Sequence, residues 1–443
     1  MRRLTCALAA AMIIAAFGVV VLGGQAVPYT AAAWQPETLG NYRAVVRVAA
    51  PSDAVRVLLE WRRRDGDPDR KNIIVTDSVG TRVTNLVRLG ITRETGDLVF
   101  EPAAGAGDYY IYYLPMTGEG RANYPKVSYP PFQETADATW LARVLGPDFK
   151  VPISLSTPPP STERGRPWEK LPQARLIEFQ SNGEFDSLAP MEIIATAAET
   201  SRLVAAHPQP FLLFPEDREY PIRMTDDLPR RWIESGPGRA FQGKAQRGEF
   251  YAFQVGVFAP KQAIEVTKVT LGGFEKINGR SFRCINLEGT NSEGVAFTRP
   301  VTVPAGKVQA LWCGLQVPED GQPGTYAGQV TVAAKGVPAQ SISFALALDN
   351  ALIRDAGDDE PSRLSRLRWL DSTLAMDDEV VKPYTPIAAS GNTLSVLGRK
   401  IVLGSDGLPD RIESYFATEM TRLSAAPRQV LASPLAFTVL DAD

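Results

Sequence analysis

The stretch Asp65-Gly-Asp67-Pro-Asp69 sets three carboxylates at alternate positions, the spacing by which calcium loops gather oxygen ligands. Arg62, Arg63, Arg64, Arg70 and Lys71 flank it and neutralise the site, and the later glutamate of such a loop is missing. The stretch therefore reads as a solvated hairpin, and no metal site is assigned. Two acidic runs, Asp358-Asp-Glu360 and Asp377-Asp-Glu379, hold the residue types that glycoside hydrolysis uses. That reaction needs two acids across a cleft, at a separation fixed by the mechanism. Adjacent acids on a linker carry no such constraint, so the first run reads as a solubilising segment. The second follows an apolar patch, Leu370 to Met376, and reads as structural. No catalytic residue is assigned.

Tyr109-Tyr110-Ile111-Tyr112-Tyr113 reads as a strand, which puts Tyr110 and Tyr112 on one sheet face. Tyrosines with apolar faces and polar tips suit stacking on sugar rings; the competing role is a core between two sheets with hydroxyls at its rim. Of the seven tryptophans, Trp140 and Trp168 fall in an irregular segment and are expected to be the exposed ones. Tyr110, Tyr112, Trp140 and Trp168 are thus the carbohydrate-binding candidates. His207 is the only histidine, which excludes a multi-histidine zinc site. Sitting between a helix end and Pro208, it suits a helix C-terminus. No phosphate-binding or dinucleotide fingerprint occurs in a strand-turn-helix setting, so no cofactor is expected.

The elements that must position these residues are mostly strands. The chain has 443 residues, enough for two to four domains, and its 44% hydrophobic and 22% charged content is that of a globular protein. A net charge of −3 gives no basic excess for nucleic acid. Arg2 and Arg3 precede the apolar run Leu4 to Leu22, and Gly24-Gln25-Ala26 offers small residues for cleavage. Residues 1–26 therefore read as a signal peptide for export to the periplasm, cell surface or medium. If left uncleaved, this segment would be the chain's membrane contact. Cys284 and Cys313 remain after its removal, both in strand-like runs; they form a disulfide in an oxidising compartment or stay as two buried thiols.

Strands are expected at Tyr42–Ala49, Val55–Trp61, Asn72–Thr76, Leu98–Pro102 and Tyr109–Leu114, within an N-terminal β-sandwich spanning residues 27–219. Residues 115–210 form its irregular, helix-containing part, with Pro158-Pro-Pro160 too stiff for a sheet interior and a helix from Ser187 to Ala206. Residues 220–350 read as an immunoglobulin-like sandwich without helices, and Pro323-Gly-Thr-Tyr326 opens one of its hairpin strands. Residues 351–361 read as a linker. Residues 362–443 start a third β-rich domain with a meander at Leu394–Leu397, Lys400–Leu403 and Arg411–Phe416, and a last strand at Phe437–Leu440. About 80 residues are few for a sandwich, so this part reads as truncated. The fold class is mainly β: tandem antiparallel β-sandwiches.

Several stretches resemble the N-terminal region of proteins related to glycoside hydrolase family 123. They include Trp61-Arg-Arg-Arg-Asp65, Asp108-Tyr-Tyr-Ile-Tyr-Tyr-Leu-Pro115, Pro210-Phe-Leu-Leu-Phe-Pro-Glu-Asp217 and Tyr220-Pro-Ile-Arg-Met224. Gly248-Glu-Phe-Tyr-Ala-Phe-Gln254, Arg363-Leu-Ser-Arg-Leu-Arg-Trp369, Leu397-Gly-Arg399 and Gly407-Leu-Pro409 continue the series. The resemblance implies an exported carbohydrate-active protein whose β-rich modules precede a catalytic (β/α)₈ barrel, where an Asp-Glu pair drives substrate-assisted cleavage of N-acetylhexosaminides. A barrel needs about 250 residues of alternating strand and helix, which the segment after Asn350 does not supply. The expected role is therefore non-catalytic: supporting or binding carbohydrate for a barrel encoded downstream or on a partner. The alternatives are an active glycosidase on N-acetylhexosaminides and a cell-surface structural or adhesion protein.

Overall fold

The computed structural model describes residues 27–121, 124–150, 155, 166–188, 190–277, 281–371, 380, 384–420 and 422–439. The expected signal peptide, the Pro158–Pro160 run and the acids Asp377–Glu379 lie outside the described residues. The chain falls into a larger unit running to Arg368 and a smaller one from Trp369, which also takes Thr290–Ala296. The protein is mainly β, built from several sheets with few helices.

Alternation of apolar and polar residues in Tyr42–Val48 and Val55–Leu59 commits one side of each strand to a core. Five strands form the first sheet, in the order Tyr29–Ala32, Arg175–Asn182, Tyr42–Val48, Gly107–Tyr112, Ile74–Asp77. A second sheet holds Val55–Leu59, Gly96–Phe100 and Leu86–Ile91. One apolar cluster draws on strands of both sheets, with Ala44, Val46, Val57, Leu59, Leu98, Tyr109 and Ile111 almost fully buried. The helix Ala138–Leu145, capped where the Asp137 side chain accepts from the Trp140 amide, adds a further apolar layer with Val87, Leu89 and Val99. Leu86–Ile91 is therefore buried at every position, including Arg88, whose guanidinium lies 3.6 Å from the Phe132 ring centroid and donates to the Asp69 carbonyl.

In the next sandwich, Leu212–Asp217, Phe250–Phe258, Val308–Gln316 and Arg283–Cys284 make one sheet. Phe241–Arg247, Val337–Leu352, Gly324–Ala334, Ile264–Gly272 and Val301–Val303 make the other. Stacked rings of Phe241, Tyr251, Phe253, Phe274 and Phe344 fill the space between them. Phe250–Phe258 is buried throughout because a second apolar cluster, with Met191, Leu203, Phe214 and Trp232, lies on its other side. Trp232 stacks on Phe214 at 4.3 Å, and a Cβ at Gly256 would meet its ring at 2.3 Å, so glycine is required there.

Several expectations change. Helix Ser187 to Ala206 is two elements: a 3₁₀ turn at Pro190–Glu192 and an α-helix at Ala197–Ala206, begun by a capping box of Thr196 and Glu199. The second sandwich does contain a helix, Arg230–Ser235, too short for a periodic signal. Leu212–Asp217, placed by sequence in the first module, pairs antiparallel with Phe250–Phe258. Two edge pairings are parallel, Tyr29–Ala32 with Phe179–Asn182 and Phe241–Ala245 with Phe344–Leu348. The segment read as a linker is tied down by 3₁₀ turns, with Ile353 buried, and just beyond it Arg363 bonds the buried Glu249.

The smaller unit contains a five-stranded antiparallel meander: Ala388–Ser390, Thr393–Val396, Arg399–Leu403, Pro409–Phe416 and Leu423–Gln429. Its strands Thr393–Val396, Arg399–Leu403 and Pro409–Phe416 fall at the expected meander positions, with Asp406 and Gly407 in the turn between the last two. The expected terminal strand is not formed over its described part; Phe437 and Val439 are exposed outside any sheet.

Candidate functional site

A groove of about 1130 Å³ opens in the larger unit where both sandwiches meet the helix Ala197–Ala206. Its apolar floor comes from Ile91, Ile194, Leu228 and Phe258. The chain reaches this arrangement through a set of short ties. Ile194 N–H donates to the Arg62 carbonyl, Ala195 N–H to the Leu228 carbonyl and Arg230 N–H to the Ile193 carbonyl. Arg62 donates to both oxygens of Glu199, at 2.7 and 3.0 Å, and its guanidinium is buried. On the rim, Arg93 makes a bidentate pair with Asp227, and Lys307 bonds Asp226 at 2.7 Å. Thr92, Thr95, Thr200 and Ser201 add hydroxyls. Apolar floor, hydroxyl rim and fixed charges together form a surface that can hold a polyhydroxylated chain.

The sequence-picked aromatics are elsewhere. Tyr110 and Tyr112 do share a face, on the side of Gly107–Tyr112 opposite the core residues Tyr109 and Ile111. That face is already occupied. The Arg43 guanidinium lies 3.9 Å from the Tyr110 centroid and 4.4 Å from that of Trp34, and its Nη1 donates to the Tyr112 hydroxyl. Cation–π stacking thus fills the surface a sugar would need. Trp140 is a correction: only 3% of it is exposed, and its Nε1 donates to the Asp53 carbonyl. Asp137 three residues upstream, an N-cap before an apolar stretch, is the signal that places it on a helix. Trp168 is half-buried, edge-on to Phe149, with Arg166 over its ring. Neither tryptophan is an open platform.

The acids are likewise engaged. Asp65 accepts two bonds from Arg63 and one from Lys71. Burial alone would raise its carboxyl, but those cations outweigh burial and hold it below the usual range. Asp358 is ordered by Ser365 and Arg368. His207 stands at the C-cap of Ala197–Ala206, its N–H donating to the Leu203 carbonyl. Cys284 and Cys313 are buried thiols facing each other on adjacent antiparallel strands. Sequence reasoning missed the groove altogether, because its walls come from six separated segments that no motif joins.

Comparison with known proteins adds the following. Residues 32–182 match a family model described as glycoside hydrolase 123, N-terminal domain, and residues 387–443 match one described as glycoside hydrolase 123, third domain. No curated protein matches the chain. Among solved structures, a family 123 glycoside hydrolase from Clostridium perfringens, studied for glycolipid glycan hydrolysis, matches at 9% identity and a TM-score of 0.25. The match covers 32% of this chain and 28% of the clostridial one, so the chain spans under a third of that enzyme's length. A PapD-like domain of human CEP192 matches at 10% identity over 26% of this chain and 82% of its own, with a TM-score of 0.17. A type I cohesin from Pseudobacteroides cellulosolvens matches at 10% identity over 26% of this chain and 94% of its own, with a TM-score of 0.13.

Proposed function

We propose that this chain, whose residues 32–182 and 387–443 match the N-terminal and third-domain models of glycoside hydrolase family 123, is an exported, non-catalytic β-sandwich region supporting or binding carbohydrate. The observation that carries the reading is how its buried acids are held. Glu216, fully buried, accepts from Arg231, Trp232 and Arg239. Glu249, also fully buried, is held by Arg218, Arg363 and the Gln246 amide. Glu199 is lowered to about 2, chiefly by its hydrogen bonds from Arg62. Asp65, Asp77, Asp108, Glu199 and Asp226 all lie below their ordinary values. A glycosidase acid must be pushed the other way to keep its proton at neutral pH. These carboxylates are suited to clamping arginines between sheets.

Holding a glycan is the task left to the groove. At about 1130 Å³ it exceeds the roughly 300–1,000 Å³ of small-molecule sites and has room for several sugar rings. In this reading the segment 1–26 directs export, the second sandwich is immunoglobulin-like, and hydrolysis belongs to a barrel downstream or on a partner. Glycan-array binding by the protein lacking residues 1–26, together with assays on aryl N-acetylhexosaminides, tests it. Binding without turnover is expected. Turnover abolished by Asp378→Asn or Glu379→Gln would replace the reading with an active glycosidase. Neither binding nor turnover would leave a structural surface protein.

A further inference from the structure

A second cavity, of about 230 Å³, lies apart from the groove floor, in the first sandwich against the turn at Pro190–Glu192. Its walls are aromatic: Tyr42, Trp61, Tyr113 and Tyr129 all line it. Trp61 is fixed by its Nε1 bond to the Thr92 carbonyl, and Gly96 makes room for the ring, since a Cβ there would meet it at 2.4 Å. Tyr113 is 97% buried, its ring near those of Tyr42, Trp61 and Phe179. Buried tyrosine hydroxyls ordinarily find a hydrogen-bond partner. The hydroxyls of Tyr113 and Tyr42 have none among the described residues. Each is a donor with nothing to donate to, at the wall of a cavity.

The charge around this cavity is unbalanced. Asp65 is shared by Arg63 and Lys71, and Glu192 by Arg64 and Arg223. With Asp186, which acts on Tyr42, three carboxylates thus meet four cations. Arg63 is almost fully buried and its Nη1 has no hydrogen-bond partner; the guanidinium rests over the Trp61 and Tyr113 rings instead. Arg64 pairs with Glu192 at 3.1 Å and is half exposed, so its guanidinium keeps donors open to solvent for an anion. Aromatic walls, idle hydroxyl donors and an excess of positive charge are the recognition chemistry of a ring that bears both hydroxyls and a carboxylate.

We propose that this cavity is a subsite for one terminal acidic sugar, a uronic or sialic acid residue. Its ring lies among Tyr42, Trp61 and Tyr129, its hydroxyls accept from Tyr113 and Tyr42, and its carboxylate is drawn by Arg64 and the surplus cationic charge. The volume admits a single ring, so the sugar enters as a chain end. This deepens the carbohydrate reading above and rests on it.

The test is calorimetric titration of the protein lacking residues 1–26 with methyl glucuronide, methyl sialoside and the neutral methyl glucoside. An acidic glycoside is expected to bind about tenfold or more tightly than the neutral one, as a charge-assisted hydrogen bond allows. The source of the carboxylate, uronic or sialic, is given by which of the two binds tighter. Tyr113→Phe removes an unpartnered hydroxyl, so the melting temperature should stay unchanged while affinity falls about fivefold. Arg64→Gln should erase the preference for acid over neutral sugar. Equal affinity for acidic and neutral glycosides, or wild-type affinity in Tyr113→Phe, would overturn the subsite while leaving glycan binding elsewhere intact. Failure of every glycoside and every arrayed glycan to bind would overturn both.

Discussion

Cys284 and Cys313 stand directly opposite in antiparallel register, and Ile285 N–H donates to the Trp312 carbonyl at 3.0 Å. That bond pattern makes the cysteines a non-hydrogen-bonded pair, the closer of the two antiparallel positions, with Cα atoms about 4.5 Å apart. Disulfides span about 4.4–6.8 Å between Cα atoms, so closure asks little of the backbone. The bond would close a loop of about 30 residues, which the chain-entropy model values at about 3.5 kcal/mol. For a sandwich of this size that corresponds to a melting temperature higher by roughly 10 °C. Burial, with Cys284 alongside, pushes the Cys313 thiol well up, so the folded protein holds little thiolate and oxidises slowly. Closure should therefore accompany refolding in a glutathione redox buffer and should be slow in the folded, reduced protein. Intact mass, thiol titration in denaturant and calorimetric melting of both forms check this, with Cys284→Ala/Cys313→Ala as the redox-silent reference. Two free thiols after oxidative refolding, or melting curves that coincide, would refute the reasoning.

Glu249→Gln should cost about 3–5 kcal/mol, because Arg218 and Arg363 would lose the carboxylate that compensates them. Urea unfolding reads the cost, and limited proteolysis should cut first within residues 353–368, which Arg363 anchors. Glu199 sets an acid limb. Its folded value of about 2 lies below the ordinary 4.5, so its contribution is complete above about pH 5 and lost as pH falls toward 2. Partial solvent exposure limits it to about 1–2 kcal/mol, and urea midpoints against pH should flatten over that window in Glu199→Gln. Gly256→Ala would drive a methyl into the Trp232 ring and should destabilise by about 1–3 kcal/mol, with a changed near-ultraviolet tryptophan signal.

Much of the sheet structure was legible from one-sided strands. Tyr42–Val48, Val55–Leu59 and the hairpins around Gly398 and Gly407 carry clear alternation or turn residues. Leu86–Ile91 was not legible: apolar layers cover both its faces, and the buried Arg88 and a bulge at Leu89 break the pattern. Arg175–Asn182 was hidden by its polar residues, as was Leu423–Gln429, which is exposed throughout. Trp140 was misplaced because the helix that buries it has only eight residues. Pairing of Tyr110 and Tyr112 followed from period two, but their arginine cover follows from Arg43 on a neighbouring strand and Trp34 in a loop. Both cavities are assembled across long sequence separations, which local patterns do not encode.

The parallel pairing of Tyr29–Ala32 with Phe179–Asn182 bears on the order of assembly. A chain made from its N-terminus produces this strand first, yet its partner comes about 150 residues later, the loop-closure burden that slows non-local topologies. The opening strand must wait with its ladder groups unpaired until nearly the whole domain has emerged. Docking it is a final latch, and a chain interrupted before residue 182 would present that latch without its catch.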